Sequence, residues 1–168
     1  MKKVIIILFA ITIIGLFTKE QSSQVLIPNN AIRFRIIANS NSIDDQKEKL
    51  TIKKEIEPML VSLTNNVSNL EEARTNINSN IDYLSDIVRK HTTDFNINYG
   101  LNYFPEKNYK GVTYEAGNYE SLVITLGDGL GDNWWCVLFP PLCLLEASSE
   151  SLDDVTYSFY IKDIIDKF

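Results

Sequence analysis

The sequence predicts an α+β domain of two layers, a mainly antiparallel sheet with two helices on one face, and three observations carry that prediction. Phe95, Ile97, Tyr99, Leu101 and Tyr103 alternate with asparagines and a glycine, the period of a strand with one buried face. Residues 43–63 and 68–91 repeat apolar side chains at spacings of three and four, as amphipathic helices do. Residues 133–143 gather both tryptophans and both cysteines into an apolar run that Pro140-Pro141 ends, because proline cannot donate to a sheet ladder. The element order is β, α, α, β, β, β, with a weaker strand signal near the C-terminus.

Lys2-Lys3 precede an uncharged apolar run from Val4 to Phe17, the layout of a positive n-region and a short h-region. The run is shorter than the roughly 20 residues a membrane span needs. No small-x-small cleavage site follows, so a cleaved signal peptide and an uncleaved N-terminal anchor both stand. Either places the rest of the chain outside the cytoplasm. Residues 1–24 are assigned to this segment and the start of a spacer that runs to Asn30. Residues 25–146 form the domain, and 147–168 a polar linker with a C-terminal strand and short helix.

Within the domain, residues 31–38 alternate: Ile32, Phe34, Ile36 and Ala38 face the core, Arg33 and Arg35 the other side. Asn39-Ser40-Asn41-Ser42 ends this strand, and Ser42 with Asp45 caps the first helix, which accounts for the polar cluster. That helix has the stripe Ile52, Ile56, Met59, Leu60 and Leu63, with Pro58 expected to kink or split it near Glu57. Ser68 with Glu71 opens the second helix, whose stripe is Leu70, Ala73, Ile77, Ile81, Leu84 and Val88. His91, the only histidine, sits at its end, where a cation complements the helix dipole. After the 95–103 strand, Phe104-Pro105 begins a turn-rich loop to Asn118, and 120–126 is a strand with Leu122, Ile124 and Leu126 inward. Gly127-Asp128-Gly129-Leu130-Gly131-Asp132 has GxGxG spacing and precedes a strand instead of a helix. It also lacks a P-loop lysine and the EF-hand ligand pattern, so it reads as a hairpin connection. In the final strand Trp134, Cys136 and Leu138 share one face, and Trp135, Val137 and Phe139 the other. Trp134 is therefore expected in the core and Trp135 on the open face.

Composition narrows the chemistry. The net charge is −6, and beyond residue 24 the count is 13 basic against 21 acidic residues, a net of −8. Such a domain does not attract nucleic acid or anionic lipid through charge, which leaves membrane contact to the N-terminal segment. No cysteine or histidine spacing suggests zinc, and no metal or cofactor is expected. Cys136 and Cys143 are either two buried thiols or a disulfide. Seven extended residues span roughly 23 Å, whereas a bonded pair needs Cα atoms about 4.4–6.8 Å apart, so a bond requires the chain to fold back at Pro140-Pro141. Two catalytic alternatives are open to these residues. One is a cell-wall hydrolase using Glu120 and Asp128, which lie at the ends of one strand, as acid and base. The other pairs Cys136 or Cys143 with His91, against apolar surroundings that raise a thiol pKa.

Four separated blocks point further. They are Arg33-Phe34-Arg35-Ile36-Ile37-Ala38-Asn39-Ser40-Asn41-Ser42 with Asp45-Gln46; Phe104-Pro105 with Tyr109; Ala116-Gly117-Asn118-Tyr119-Glu120-Ser121-Leu122; and Gly131-Asp132-Asn133-Trp134-Trp135-Cys136-Val137-Leu138-Phe139-Pro140-Pro141-Leu142-Cys143. In order and spacing they resemble the stage II sporulation protein R family of endospore-forming Firmicutes, with departures at Glu115 and Val123. The resemblance implies a protein made in the forespore and exported into the space between forespore and mother cell. There it would trigger a membrane-embedded aspartic protease that cleaves pro-sigma-E to sigma-E. It implies no catalytic residues. The partner would be the extracytoplasmic part of that protease, and the expected contacts are Asn133, Trp134 and Trp135, with Tyr119 and Glu120.

Overall fold

Strand β2 (Ile32–Ile37) forms where the alternation places it, and its neighbours define the sheet. The computed structural model describes residues 25–26, 30–65, 67–109, 112–142 and 163–164. In chain order the elements are β1 (Val25–Leu26), β2, α1 (Ile43–Thr64), α2 (Leu70–Ser79), α3 (Ile81–Arg89), β3 (Phe95–Phe104), β4 (Lys107–Tyr109), β5 (Val112–Tyr114), β6 (Gly117–Leu126) and β7 (Asn133–Phe139). The main sheet has the order β3-β6-β2-β7. Pairs β3–β6 and β2–β7 are antiparallel, but β2–β6 is parallel, so the sheet is mixed. A second, small sheet has the order β1-β5-β4.

The α+β class stands, with three corrections. First, the helical layer holds three helices. α1 runs unbroken through Pro58, whose side chain faces solvent, so water can meet the carbonyl that a proline leaves without its helical donor. The second stripe breaks at Asn80 (φ −118°, ψ 8°) into α2 and α3, and the Asn80 side chain donates to the Asn76 carbonyl at 2.8 Å. The cap of α2 is Asn69, one residue later than expected. Its Oδ1 accepts from Glu72 N at 3.0 Å, and the Glu72 carboxylate reaches back past the cap to accept from Ser68 N at 2.9 Å, a variant of the capping box.

Second, the loop expected between Pro105 and Asn118 contains β4 and β5, and the spacer contains β1, which pairs in parallel with β5. Strands of two or three residues are too short to show periodicity. Third, a register shift between Ile32 and Arg33 pairs Ile32 with Phe139 and Arg33 with Val137. This bulge turns Phe139 to the helix side, where Leu138 also packs.

The core lies between helices and sheet: Phe34, Ile36, Leu122, Ile124, Leu126, Cys136 and Leu138 meet Ile52, Ile56, Leu60, Ala73, Ile77, Leu84 and Val88. Leu101 and Tyr103, expected inside, are exposed, because β3 runs beyond the helices that cover Phe95, Ile97 and Tyr99. Asp163 and Ile164 are helical. The export segment, the strand expected over 155–161 and Cys143 lie outside the described residues. Among the described residues no helix is long and apolar enough to cross a membrane.

A candidate partner-binding face

The two loops at one end of the sheet set where β7 begins. Asn39 Oδ1 accepts from Asp128 N at 3.0 Å and Asn41 Oδ1 from Asp132 N at 2.6 Å. The Asn39 carbonyl accepts from Leu130 N and the Ala38 carbonyl from Gly131 N, each at 2.9 Å. Lys49, nearly buried, donates to Gln46 Oε1 at 2.6 Å and to the Asp132 carbonyl at 2.8 Å, and burial holds its pKa down. Ser42 caps α1 as expected, accepting from Asp45 N at 3.1 Å. Asp45 in turn accepts from Ser40 Oγ and, at 3.1 Å, from Asn39 Nδ2, and the Ser40 bond leads in holding its carboxyl pKa down. Capping thus explains only part of the polar cluster; the rest clamps the glycine-rich turn.

With β7 fixed, its two tryptophans point to opposite faces. Trp134 is on the helix side, half-buried, edge-on to Phe34 at 5.9 Å with Lys53 Nζ 4.5 Å from its ring centroid. Trp135 is on the other side, also half-buried, 4.5 Å from the Tyr114 ring and 6.3 Å from Phe104. The face expected to be open is therefore partly covered, by Tyr114 of β5 and by Lys107 of β4, whose Nζ lies 5.1 Å from the Trp135 ring.

Beneath this cover sits Arg33, fully buried. Its Cζ is 3.3 Å from the Tyr119 ring centroid and within 6 Å of those of Phe104, Tyr114 and Trp135. The Tyr119 hydroxyl donates to the Glu115 carbonyl at 2.9 Å, so the ring face carries the contact with Arg33. Among the described residues none of the three Arg33 side-chain nitrogens has a hydrogen-bond partner. Arg35, two residues along the same face and half-buried, lies 4.7 Å from the Phe104 ring, and its buried Nε is also unpartnered. Burial pushes both guanidinium pKa values down. Cation–π contact of this kind contributes about 2 kcal/mol when desolvated, less than a hydrogen-bonded counter-charge would supply.

Glu120 points to the opposite face from its neighbour Tyr119. Arg74 of α2 donates to it from Nε at 2.9 and 3.0 Å and from Nη2 at 2.7 Å, and Tyr99 Oη donates at 2.5 Å. Arg74 holds the Glu120 carboxyl below the usual range, while burial and then Glu120 push the Tyr99 hydroxyl well up. Of the expected contact residues, the structure thus brings Tyr119 and Trp135 together. Trp134 and Glu120 lie on the helix side, and Asn133 is exposed at the start of β7. Arg33, Arg35, Phe104 and Tyr114 were missed as site residues. Two arginines at i and i+2 in an apolar strand were the one signal for them.

The hydrolase pair does not converge. Glu120 is engaged by Arg74 and Tyr99 near the start of β6, and Asp128 sits in the turn beyond its end. Six strand residues alone separate them by about 20 Å, against about 5–9.5 Å for paired glycosidase carboxylates. His91 Nε2 lies 3.1 Å from Glu55 Oε1. Cys136 is buried and disulfide-bonded, which removes it as a nucleophile. The chain folds back after β7, with a cis Phe139–Pro140 peptide and Leu142 N donating to the Val137 carbonyl at 3.1 Å. Among the described residues no group of three His, Cys, Asp or Glu could hold a metal ion.

The model of the stage II sporulation protein R family matches residues 28–149. A curated relative from Bacillus subtilis (strain 168), named stage II sporulation protein R, is 39% identical over 137 residues, covering 78% of this chain. The match covers 61% of that relative's length. No solved structure matches.

Proposed function

Because the chain belongs to the stage II sporulation protein R family, we propose that it is an exported sporulation signal acting by contact, without catalysis of its own. Made in the forespore, it crosses into the intercompartmental space and engages the extracytoplasmic part of the mother cell's membrane-embedded aspartic protease. That contact activates cleavage of pro-sigma-E to sigma-E. The observation that carries this reading is the family match over residues 28–149, which takes in every element from β2 to β7. The lack of a shared cleft for Glu120 and Asp128 favours contact over the wall-hydrolase alternative. Aromatic and arginine side chains commonly anchor interfaces, and the Tyr119–Trp135–Arg33 face gathers both kinds.

The test is complementation. The full chain is expressed in the forespore of a sporulating host lacking its own stage II sporulation protein R, and pro-sigma-E processing is followed by immunoblot. Processing should return, and should persist in folded Asp128→Asn and His91→Ala variants. An exported, folded chain that leaves pro-sigma-E uncut would overturn the reading.

A further inference from the structure

The geometry points to a carboxylate-binding site on the non-helical face of the sheet, built from Arg35 and Arg33 over the Phe104 ring, that takes a single acidic side chain of a protein partner. It rests on the reading that the protein works by contact and names the chemistry of that contact. Three observations converge. Both guanidiniums lean on the same ring, at 5.3 Å for Arg33 and 4.7 Å for Arg35. Neither makes an ion pair among the described residues. All three Arg33 nitrogens and Arg35 Nε are buried without a partner.

Two like charges placed side by side, desolvated and without a counter-ion oppose the fold unless something else compensates. Rings on several sides offset the cost for Arg33. Among the described residues Arg35 has only Phe104, and, unlike Arg33, it has Nε alone among the buried unpartnered atoms, which leaves its two terminal nitrogens open to a ligand. A carboxylate there would take two parallel N–H···O bonds from Arg35 and feel the charge of Arg33 behind it. Half-buried Trp135, the cross-strand neighbour of Arg35, supplies apolar surface beside the fork. The occupant is one acidic residue in an otherwise uncharged or basic segment. A chain of net charge −6 repels an extended anionic surface at longer range, which disfavours a membrane or a polyanion.

The test titrates the full chain, labelled for arginine Nε–H and tryptophan indole resonances, with four probes. These are a short capped peptide bearing one aspartate, its asparagine counterpart, inorganic phosphate, and phosphatidylglycerol vesicles. Expected are saturable shifts of the Arg35 Nε–H and the Trp135 indole with the aspartate peptide, at least tenfold weaker binding of the asparagine peptide, and no saturable response to phosphate or vesicles. Arg35→Gln should lose the aspartate response at least tenfold. Arg35→Lys, which keeps the charge without the fork and so guards against misfolding, should fall between. Equal binding of the two peptides, an unaltered response in Arg35→Gln, or stronger saturation by phosphate or vesicles would each overturn the proposal. No protease enters this assay, so its failure leaves the complementation result standing, and the reverse.

Discussion

Glu120 shows how a single carboxylate joins the two layers: it sits on β6 and is held by an arginine from α2 and a tyrosine from β3. Hydrogen bonds to a charged group contribute about 1.5–3 kcal/mol, and the partial exposure of Arg74 reduces that here. Glu120→Gln should therefore destabilise the fold by about 1–2 kcal/mol at pH 7. The folded-state pKa is depressed, so this stabilisation is complete above the unfolded carboxylate value of about 4.3 and drains away as pH falls through the folded value. Thermal melts at pH 7 and pH 3 should show the gap between wild type and variant closing in acid. A constant gap would assign the effect to packing. The tryptophans divide differently from the simple inside and outside expected of them. Trp134→Ala should cost about 3 kcal/mol, by loss of packing on Phe34. Trp135→Ala should cost less, about 1–2 kcal/mol, because water admitted to Arg33 partly offsets the lost contacts. Denaturant unfolding of the two variants measures the difference. At this scale the period-2 pattern correctly assigned Trp135, Arg33 and Arg35 to one face. It could not say that the face is covered, because the cover comes from Phe104 and from Tyr114 in a segment with no periodicity.

The glycine-rich turn joins β6 to β7 and depends on a loop far away in the chain. Gly127 and Gly129 hold φ of 52° and 64°, and a Cβ on Gly131 would stand 2.3 Å from the Ser40 carbonyl oxygen. That neighbour is backbone and cannot swing aside, so Gly131→Ala should destabilise by about 2 kcal/mol or more. Its melting temperature, set beside that of Gly100→Ala, checks this, since a Cβ at Gly100 meets nothing within 4 Å. The turn was legible as a non-phosphate connection. Its anchoring was not, because the Asn39–Asp128 bond links residues 89 positions apart. Helix boundaries follow the same rule. The stripe predicted the buried face of α2 and α3 correctly, but the break at Asn80 is a backbone event between equally spaced apolar residues. The cap supplies a sharp test: Asn69→Ala should cost about 1 kcal/mol, whereas Ser68→Ala, which keeps the backbone N–H that Glu72 accepts from, should cost little.

Across the whole molecule, local pattern set the class and long-range pairing set the topology. Alternation gave β2, β3 and β7 within a residue or two, and β6 except for its first three residues, Gly117–Tyr119. Nothing in it distinguishes a parallel β2–β6 pair from an antiparallel one, because both bury the same face. The end of β7 carries a similar lesson about chain reversal. Spacing alone leaves Cys136 and Cys143 about 23 Å apart when extended, yet the backbone returns so that Leu142 N reaches the Val137 carbonyl, and Cys136 is bonded. Cys143, the one other cysteine, lies outside the described residues, and a Cys136–Cys143 bridge is the pairing this sequence allows within one chain. A bridge closing so short a loop would restrict the unfolded chain modestly and contribute about 2–3 kcal/mol. Cys136 is 1% exposed, so reductant should act slowly on the folded protein and faster once denaturant opens it. Oxidised and reduced chains compared by denaturant unfolding should differ by that amount, with mass spectrometry after non-reducing digestion identifying the bridge. A difference near zero would show that the hydrogen-bonded reversal holds the end of β7 without the bond. A difference of the expected size would tie full stability to an oxidising compartment, as the proposed export requires.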